Sequence, residues 1–374
     1  MHKISIVLLR NCLLIILLTT NIDLLAQSRY KLSGTVNDEH GKPLNGATVF
    51  LSGSKTATIS NEFGKFEFPD ISAGTFQLIV KMLGYSPYQQ SIIISDKPLD
   101  IQLSLSPQSI KLKEVTIGKR AAWQKEYAIF KEQFLGDSTA NECVILNPEV
   151  INFSTKKTLW NRIILNADAD EFLEIENKRL GYRIKYLLKT FTYNGFTKIT
   201  SYDGNTVFEE MNGTEEEKKL WNINRLSAYK GSFMHFLRSV YMGSTLAEGF
   251  ITRQLYVPKN APGNFSSYIA PIKFDTILTR IDSSLISMKF TSLYVVYDPK
   301  AVADMNSSML KGINSMQKIS NLSDTGSILS LYLDRAIIDQ KGSFADYRTF
   351  LIRGFWGRKR VGDQLPYEYQ PPSF

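Results

Sequence analysis

Apolar and polar residues alternate at period two, in short runs, through the first third of the chain. Leu32, residues 48–51, Phe66 with Phe68, and residues 76–80, 92–94 and 101–105 carry the apolar positions. Between them stand 38–41 (Asp-Glu-His-Gly), 61–64 (Asn-Glu-Phe-Gly), Ser72-Ala-Gly74 and 95–98, the glycine and Asx chemistry that turns require. About seven strands at this spacing predict an Ig/transthyretin-like β-sandwich over 27–106, with a linker at 107–118.

The period then changes. Trp123, Tyr127, Phe130 and Phe134 recur three and four apart and predict a helix over 120–135. Strand-like runs follow at 158–165, 182–193, 196–202 and 207–209. Asn194-Gly195 and Asp203-Gly204 are hairpin signals between three of these, so 182–211 is expected to be an antiparallel meander. A helix is expected from Thr214, whose hydroxyl can cap the first turn while Glu217 reaches back, to about Tyr229. Gly231 breaks it, and a further helix carries Phe233, Phe236, Leu237, Val240 and Tyr241 on one stripe. More strands are expected at 251–257, 272–278, 287–297, 327–333 and 350–355. The fold class is therefore mainly β: a seven-stranded sandwich followed by a larger, sheet-dominated α+β domain over 119–374.

The order of glycines and aromatics in the first unit carries a resemblance. Gly34-Thr-Val36, Gly41-Lys-Pro43-Leu44, Gly46-Ala47-Thr48-Val49, Asn61-Glu-Phe-Gly64, Gly74-Thr-Phe76 and Gly84-Tyr85 resemble the carboxypeptidase regulatory-like domain of Bacteroidota envelope proteins. Asn61 stands where that pattern more often has aspartate, and still supports an Asx turn. The resemblance implies an accessory module in an envelope protein and names no reaction. Residues 106–117 are similar to the tail that joins such a module to the plug of TonB-dependent receptors. Roughly 250 residues remain after it, too few for a large barrel at about 10 residues per strand plus loops. A smaller barrel ending at Phe374 is not expected either, because Pro366, Pro371 and Pro372 interrupt the closing ladder. Asn147-Pro148-Glu149, Trp221-Asn-Ile-Asn224-Arg225, Tyr229-Lys-Gly231-Ser232 and His235-Phe236-Leu237-Arg238 resemble the C-terminal region of uncharacterised Bacteroidota proteins that carry this module. That likeness extends the architecture and implies no activity.

Residues 1–26 have the grammar of a secretory signal: Lys3 and Arg10 early, an apolar run at 12–18, and Leu24-Leu25-Ala26 before a cut between Ala26 and Gln27. Asn11, Asn21 and Asp23 keep the run short of the ~20 apolar residues that a spanning helix needs. Cleavage leaves Cys143 as the sole cysteine, so no intramolecular disulfide is expected, and its setting in Cys143-Val-Ile-Leu146 predicts burial. The net charge of +8 suits contact with anionic lipid or polysaccharide and permits peripheral membrane association. Nucleic acid is not an expected partner of a secreted chain. The densest basic cluster, Arg353 with Arg358-Lys359-Arg360, is expected to be a solvated face with Phe355 and Trp356 turned inward.

Catalytic chemistry is sparsely represented. A zinc carboxypeptidase needs histidine and glutamate ligands around an open site, whereas the chain beyond the signal holds only His40 and His235. His235, with Ser232 one turn earlier, is the one plausible base–nucleophile pair, and no Gly-x-Ser-x-Gly elbow exposes a serine. The acidic run Asp168, Asp170, Glu171, Glu174, Glu176 lacks the EF-hand glycine and closing glutamate and reads as a solvated loop and strand edge. Glycine-rich phosphate loops do not occur. No catalytic residue, cofactor or metal is assigned. The polar helix residues Trp221, Arg225, Tyr229, His235 and Arg238 are the candidate network, structural or ligand-binding. The expected role is non-enzymatic: docking of a secreted protein on an envelope protein or glycan, in the periplasm, at the outer membrane or on the cell surface. The alternatives are a hydrolase of envelope peptide or polysaccharide acting through His235 or the acidic run, and a glycan-binding module using exposed tryptophans.

Overall fold

The computed structural model describes residues 29–372 except 95–96, 109–119, 137–138, 158–161, 257–264, 306–315, 320–321 and 345. The expected signal segment 1–26 with its Ala26/Gln27 junction, most of the 107–118 linker, and Phe374 lie outside the described residues.

The first unit has seven strands: β1 (Arg29–Asp38), β2 (Thr48–Leu51), β3 (Ala57–Ile59), β4 (Lys65–Ser72), β5 (Gly74–Lys81), β6 (Tyr88–Ile94) and β7 (Leu99–Leu105). They form two sheets, ordered β4-β1-β7 and β3-β2-β5-β6. The predicted alternation sends Leu32, Val36, Phe66, Phe68, Leu78 and Val80 inward to one core. Asn61 makes the expected Asx turn, its Oδ1 accepting the amides of Phe63 and Lys65 at 3.0 and 2.9 Å.

Next come helix α1 (Arg120–Leu135) and strands β8 (Cys143–Ile145), β9 (Ile151–Lys157), β10 (Ile163–Ala169), β11 (Phe172–Asn177), β12 (Tyr182–Asn194) and β13 (Ile199–Glu210). The first half of β12 pairs with β11, its second half with β10, and its other edge with β13. Because β8 pairs with β11 and β9 with β10, the sheet is in effect a four-strand antiparallel meander (β8/β9, β10/β11, β12, β13) whose first two strands are each interrupted once. Asn147 bridges both interruptions: its Nδ2 donates to the Phe172 carbonyl and its Oδ1 accepts the Glu174 amide, each at 2.8 Å. Phe130 and Phe134 of α1 pack on Tyr186, Phe191 and their neighbours on the inner face.

Helices α2 (Glu215–Tyr229) and α3 (Phe233–Met242) lead into the last unit. Thr214 and Glu217 form the predicted capping box, and Ser232 caps α3. The stripe Phe236, Leu237 and Val240 packs on β14 (Phe250–Tyr256), β17 (Leu285–Met288), β18 (Ser292–Tyr297), β20 (Gly326–Leu331) and β21 (Ala336–Asp339). These strands belong to a six-stranded sheet, completed by β15 (Phe265–Tyr268), β19 (Met316–Ile319) and β22 (Phe350–Gly354), and to a small sheet that includes β16 (Leu278–Arg280).

Several expected elements differ. Asp203-Gly204 is not a turn: it lies inside β13, at an irregularity opposite Leu188 and Thr190. Gly204 is needed there because a Cβ would collide with the Tyr186 ring and the Leu187 carbonyl, a close approach rather than a reversal. The three-strand meander is accordingly one long hairpin, closed at Asn194-Gly195 and extended by β8 to β11. The acidic run lies largely on β10 and β11. Residues 272–278 form a 3₁₀ turn at Phe274–Thr276 instead of a strand, and Ile272, Phe274 and Ile277 pack on the core from it. The expected strand 287–297 is two strands in different sheets, β17 and β18. Phe355 starts a short helical turn, Phe355–Arg358, where the expected strand 350–355 would have continued.

The sandwich docks on the outer face of the central sheet. Phe50 and Ile79, on the solvent side of their own sheet, are fully buried against Leu187 and Val207 with Phe172 alongside. Each such side chain contributes about 1.5–3 kcal/mol by burial. Backbone bonds reinforce the contact: the Gly53 amide donates to the Thr206 carbonyl at 2.8 Å, and the Phe208 amide to Ser54 at 2.9 Å. A polar joint locks the other end. The fully buried Asp339 accepts the amides of Lys341 (2.9 Å) and Ser343 (3.2 Å) on Oδ1. Its Oδ2 accepts the Thr75 amide (3.2 Å) and the Ser343 hydroxyl (2.8 Å). Lys341 Nζ lies 3.2 Å from that oxygen and 3.5 Å from the centre of the Phe76 ring. Nζ makes no well-directed hydrogen bond, so charge pairing and the ring face hold it. Gly74 sits at φ +145°, and a Cβ there would strike both Lys341 Nζ and Asp339 Oδ2.

Asp339→Ala leaves four donors and an ammonium without their acceptor and is expected to cost about 3–5 kcal/mol of unfolding free energy. Lys341→Met leaves a carboxylate that keeps its four hydrogen bonds and is expected to cost less. Urea unfolding of both variants checks the order, and the reverse order would refute this account of the joint.

Candidate functional site

A cleft of about 650 Å³ lies where the three units meet. The sandwich supplies Thr75, Gln77, Gln89 and Ser91, and the central sheet supplies Tyr202 to Thr206. The last unit closes the other side with Phe233, Phe344, Trp356, Lys359, Arg360 and residues 363–365. A chain of polar groups runs along the first wall. Gln77 donates to the Ser91 hydroxyl at 2.6 Å and Gln89 donates to Gln77 at 2.9 Å. Lys189 in turn donates to Gln89. The second wall is aromatic: Phe233 and Phe344 meet edge to face at 6.0 Å, and each also contacts Phe350, at 5.2 Å. Gly342 and Ser343, beside the Asp339 joint, line the cleft too, so the joint positions it.

The five candidate helix residues are all buried, and they do separate work. Trp221 Nε1 donates to the Lys178 carbonyl at 3.0 Å, and its ring covers Gly181 and Gly213, where no Cβ fits. Arg225 donates to the Leu180 and Gly181 carbonyls at 2.7 and 3.2 Å and stacks 4.0 Å over Tyr182. These two hold the turn between β11 and β12. Arg238 reaches the chain's end: Nε donates to Lys341 O, Nη1 to Tyr369 O and Nη2 to Tyr367 O, at 2.9, 2.8 and 3.0 Å. Tyr229 lies between, its ring 4.7 Å from His235 and 5.5 Å from Tyr369, with the Arg238 guanidinium 5.4 Å above it.

His235 Nδ1 accepts the Gly231 amide at 3.1 Å, which places the ring proton on Nε2, donating to Glu248 Oε2 at 3.1 Å. Burial pushes its pKa below the ordinary value of 6.5, against the pull of Glu248. Ser232 Oγ accepts the His235 amide as the α3 cap and does not meet the imidazole. Within the acidic run, Asp168 accepts from Asn152 at 2.9 Å and Glu176 pairs with Arg183 at 2.7 Å. Among the described residues no group of three or more His, Cys, Asp or Glu side chains is placed to hold a metal ion. Cys143 is fully buried, and desolvation pushes its thiol pKa up to about 12. Trp221 and Trp356 are buried, and Trp123 stacks on Tyr127 at 5.1 Å, so these three are packing residues rather than open platforms. In the basic cluster, Trp356 turns inward as expected, and Lys359 and Arg360 line the cleft. No pattern along the chain marks the cleft, because its walls come from stretches more than 250 residues apart, as in the Thr75–Ser343 contact at 3.2 Å.

Residues 32–117 match the family model of the CarboxypepD_reg-like domain. No curated protein matches the chain. Among solved structures, an interface mutant of a type II cohesin–X-dockerin complex from Acetivibrio cellulolyticus is 20% identical over 21% of this chain, with a TM-score of 0.19. The minor pilin of Streptococcus agalactiae is 13% identical over 24% of this chain, also at 0.19. This chain spans 58% and 49% of the lengths of those two chains. A DUF3823 family protein from Bacteroides ovatus is 9% identical over 50% of this chain and 83% of its own, at 0.18. No helix among the described residues is long and apolar enough to cross a membrane.

Two outcomes follow from these assignments. Arg238→Lys cannot reproduce a three-carbonyl fork and is expected to cost about 2–4 kcal/mol and to make residues 366–372 sensitive to protease, read by limited proteolysis. Because His235 is neutral and its folded pKa is depressed, the unfolded chain binds its proton first as pH falls below 6.5. Stability is therefore full above that value and declines below it. His235→Gln removes this part of the slope in melting curves taken between about pH 7.5 and 5, and an unchanged slope would refute a neutral His235.

Proposed function

We propose that this protein is a secreted, non-enzymatic recognition component of the cell envelope that takes its partner in the cleft between the sandwich and the rest of the chain. One observation carries the reading: the three joined units build an open cleft of about 650 Å³ walled by amides, hydroxyls and aromatic rings. That volume falls in the roughly 300–1,000 Å³ range of ligand sites, and junctions between domains are where such sites concentrate. The side chains with the best catalytic credentials are committed elsewhere: His235 to Gly231 and Glu248, Ser232 to the α3 cap. A hydrolase acting through His235 therefore lacks geometric support. The signal-like residues 1–26 and the accessory character of the first domain support export and an envelope location.

The test is crosslinking of cells that make the tagged protein, followed by identification of what co-purifies, for the natural chain and for Ser91→Trp. Ser91 is an exposed position at the cleft, so the indole fills the opening without disturbing a core. The expected result is an envelope component recovered with the natural chain and lost with the variant. Equal recovery with both would refute the cleft as the recognition site.

A further inference from the structure

The cleft differs in charge from the protein that contains it. The whole chain carries +8, yet the ionisable groups lining the cleft cancel: Asp203, Asp346 and Asp363 against Arg348, Lys359 and Arg360. They are also engaged close to the wall. Asp203 lies 3.6 Å from Lys189, Asp346 pairs with Arg348 at 2.7 Å, and Asp363 pairs with Arg179 at 2.8 Å and Lys359 at 3.4 Å. Arg360 Nη1 donates to the Gly357 carbonyl at 2.5 Å. An anionic polymer would gain no net attraction here and would have to displace the aspartates from their cations.

The remaining surface is segregated. The exposed carboxamide and hydroxyl of Gln89 and Ser91 come from the sandwich, with the buried Asn205 and Thr206 of β13 behind them, whereas the partly exposed rings of Phe233 and Phe344 come from the last unit. A carboxamide offers donors and acceptors in one plane, and a phenyl ring offers an apolar face. A sugar ring presents the matching pair: a rim of hydroxyls that both donate and accept, and a face of C–H bonds.

We infer that the cleft binds an uncharged oligosaccharide, with Gln89 and Ser91 on its hydroxyl rim and Phe233 and Phe344 against its C–H faces. This rests on the cleft being the recognition site, as proposed above. A volume of about 650 Å³ suits a short stretch of sugar.

The experiment is titration calorimetry of the mature chain, residues 27–374, with neutral hexasaccharides of glucose, mannose and xylose, with hexagalacturonate as the acidic counterpart, and with hexa-alanine as a peptide. The expected result is binding of at least one neutral sugar and not of hexagalacturonate or hexa-alanine. The exposed Gln89→Ala should weaken it about 5- to 10-fold, Phe344→Ala at least about 10-fold, and Ser91→Trp should abolish it. Preference for hexagalacturonate or hexa-alanine, abolished by Ser91→Trp, would overturn the neutral-sugar assignment while leaving the cleft as the site. Sugar binding unaffected by Gln89→Ala and Ser91→Trp would overturn the cleft itself. Binding of none of these probes, with an envelope partner still lost on Ser91→Trp, would overturn the sugar assignment alone.

Discussion

One buried carboxylate decides how the units of this protein sit together. Asp339 ends a strand of the last unit, has no exposed surface, and accepts four hydrogen bonds, one of them from Thr75 of the sandwich. A carboxylate taken out of water is costly unless its lone pairs are filled and its charge is met, and here both conditions hold through Ser343 and Lys341. Such a pair adds little net stability compared with an apolar contact of the same size. Its effect is on geometry: other placements of the sandwich leave the carboxylate or its donors without partners. The apolar contact of Phe50 and Ile79 with Leu187 and Val207 supplies attraction, and the polar joint restricts where that attraction can act.

The cleft is a consequence of that restriction. Its floor passes beside Ser343 and Gly342, and its walls are the faces that remain when the sandwich meets the central sheet along one side only. The C-terminal segment closes the arrangement, since Arg238 holds the carbonyls of Tyr367 and Tyr369 while the Tyr367 amide bonds Gly53 of the sandwich. The residues whose chemistry drew attention in the sequence serve this scaffold. Trp221 and Arg225 shape one turn, and His235 fixes another. The cleft is lined instead by less conspicuous glutamines, an asparagine and two phenylalanines.

Local physics was legible along the chain. The period-two runs with their glycine and Asx turns specify the seven strands, and the Thr214/Glu217 box and the Gly231 break specify α2 and α3, because those signals act within a few residues. Local signals mislead where a residue type answers two needs. Asp203-Gly204 has the composition of a turn, but the glycine is there so that the Tyr186 ring can lie against the backbone. Strands β8, β9 and β11, and all of β10 beyond the start reached by the expected run 158–165, carry no clear period-two signal because each is short and interrupted, and the Asn147 side chain that repairs the interruptions carries no signature at a distance.

The sequence by itself determined the class of each unit, the accessory domain near the N-terminus, the burial of Cys143 and the inward turn of Trp356. All of these depend on nearest neighbours and on apolar periodicity. Only the tertiary structure decided that Asp339 meets Thr75, that Gln89 faces the same space as Phe344, and that His235 is closed away from it. Those juxtapositions join residues separated by most of the chain, and no local propensity encodes a contact whose energy exists only after the sandwich has docked.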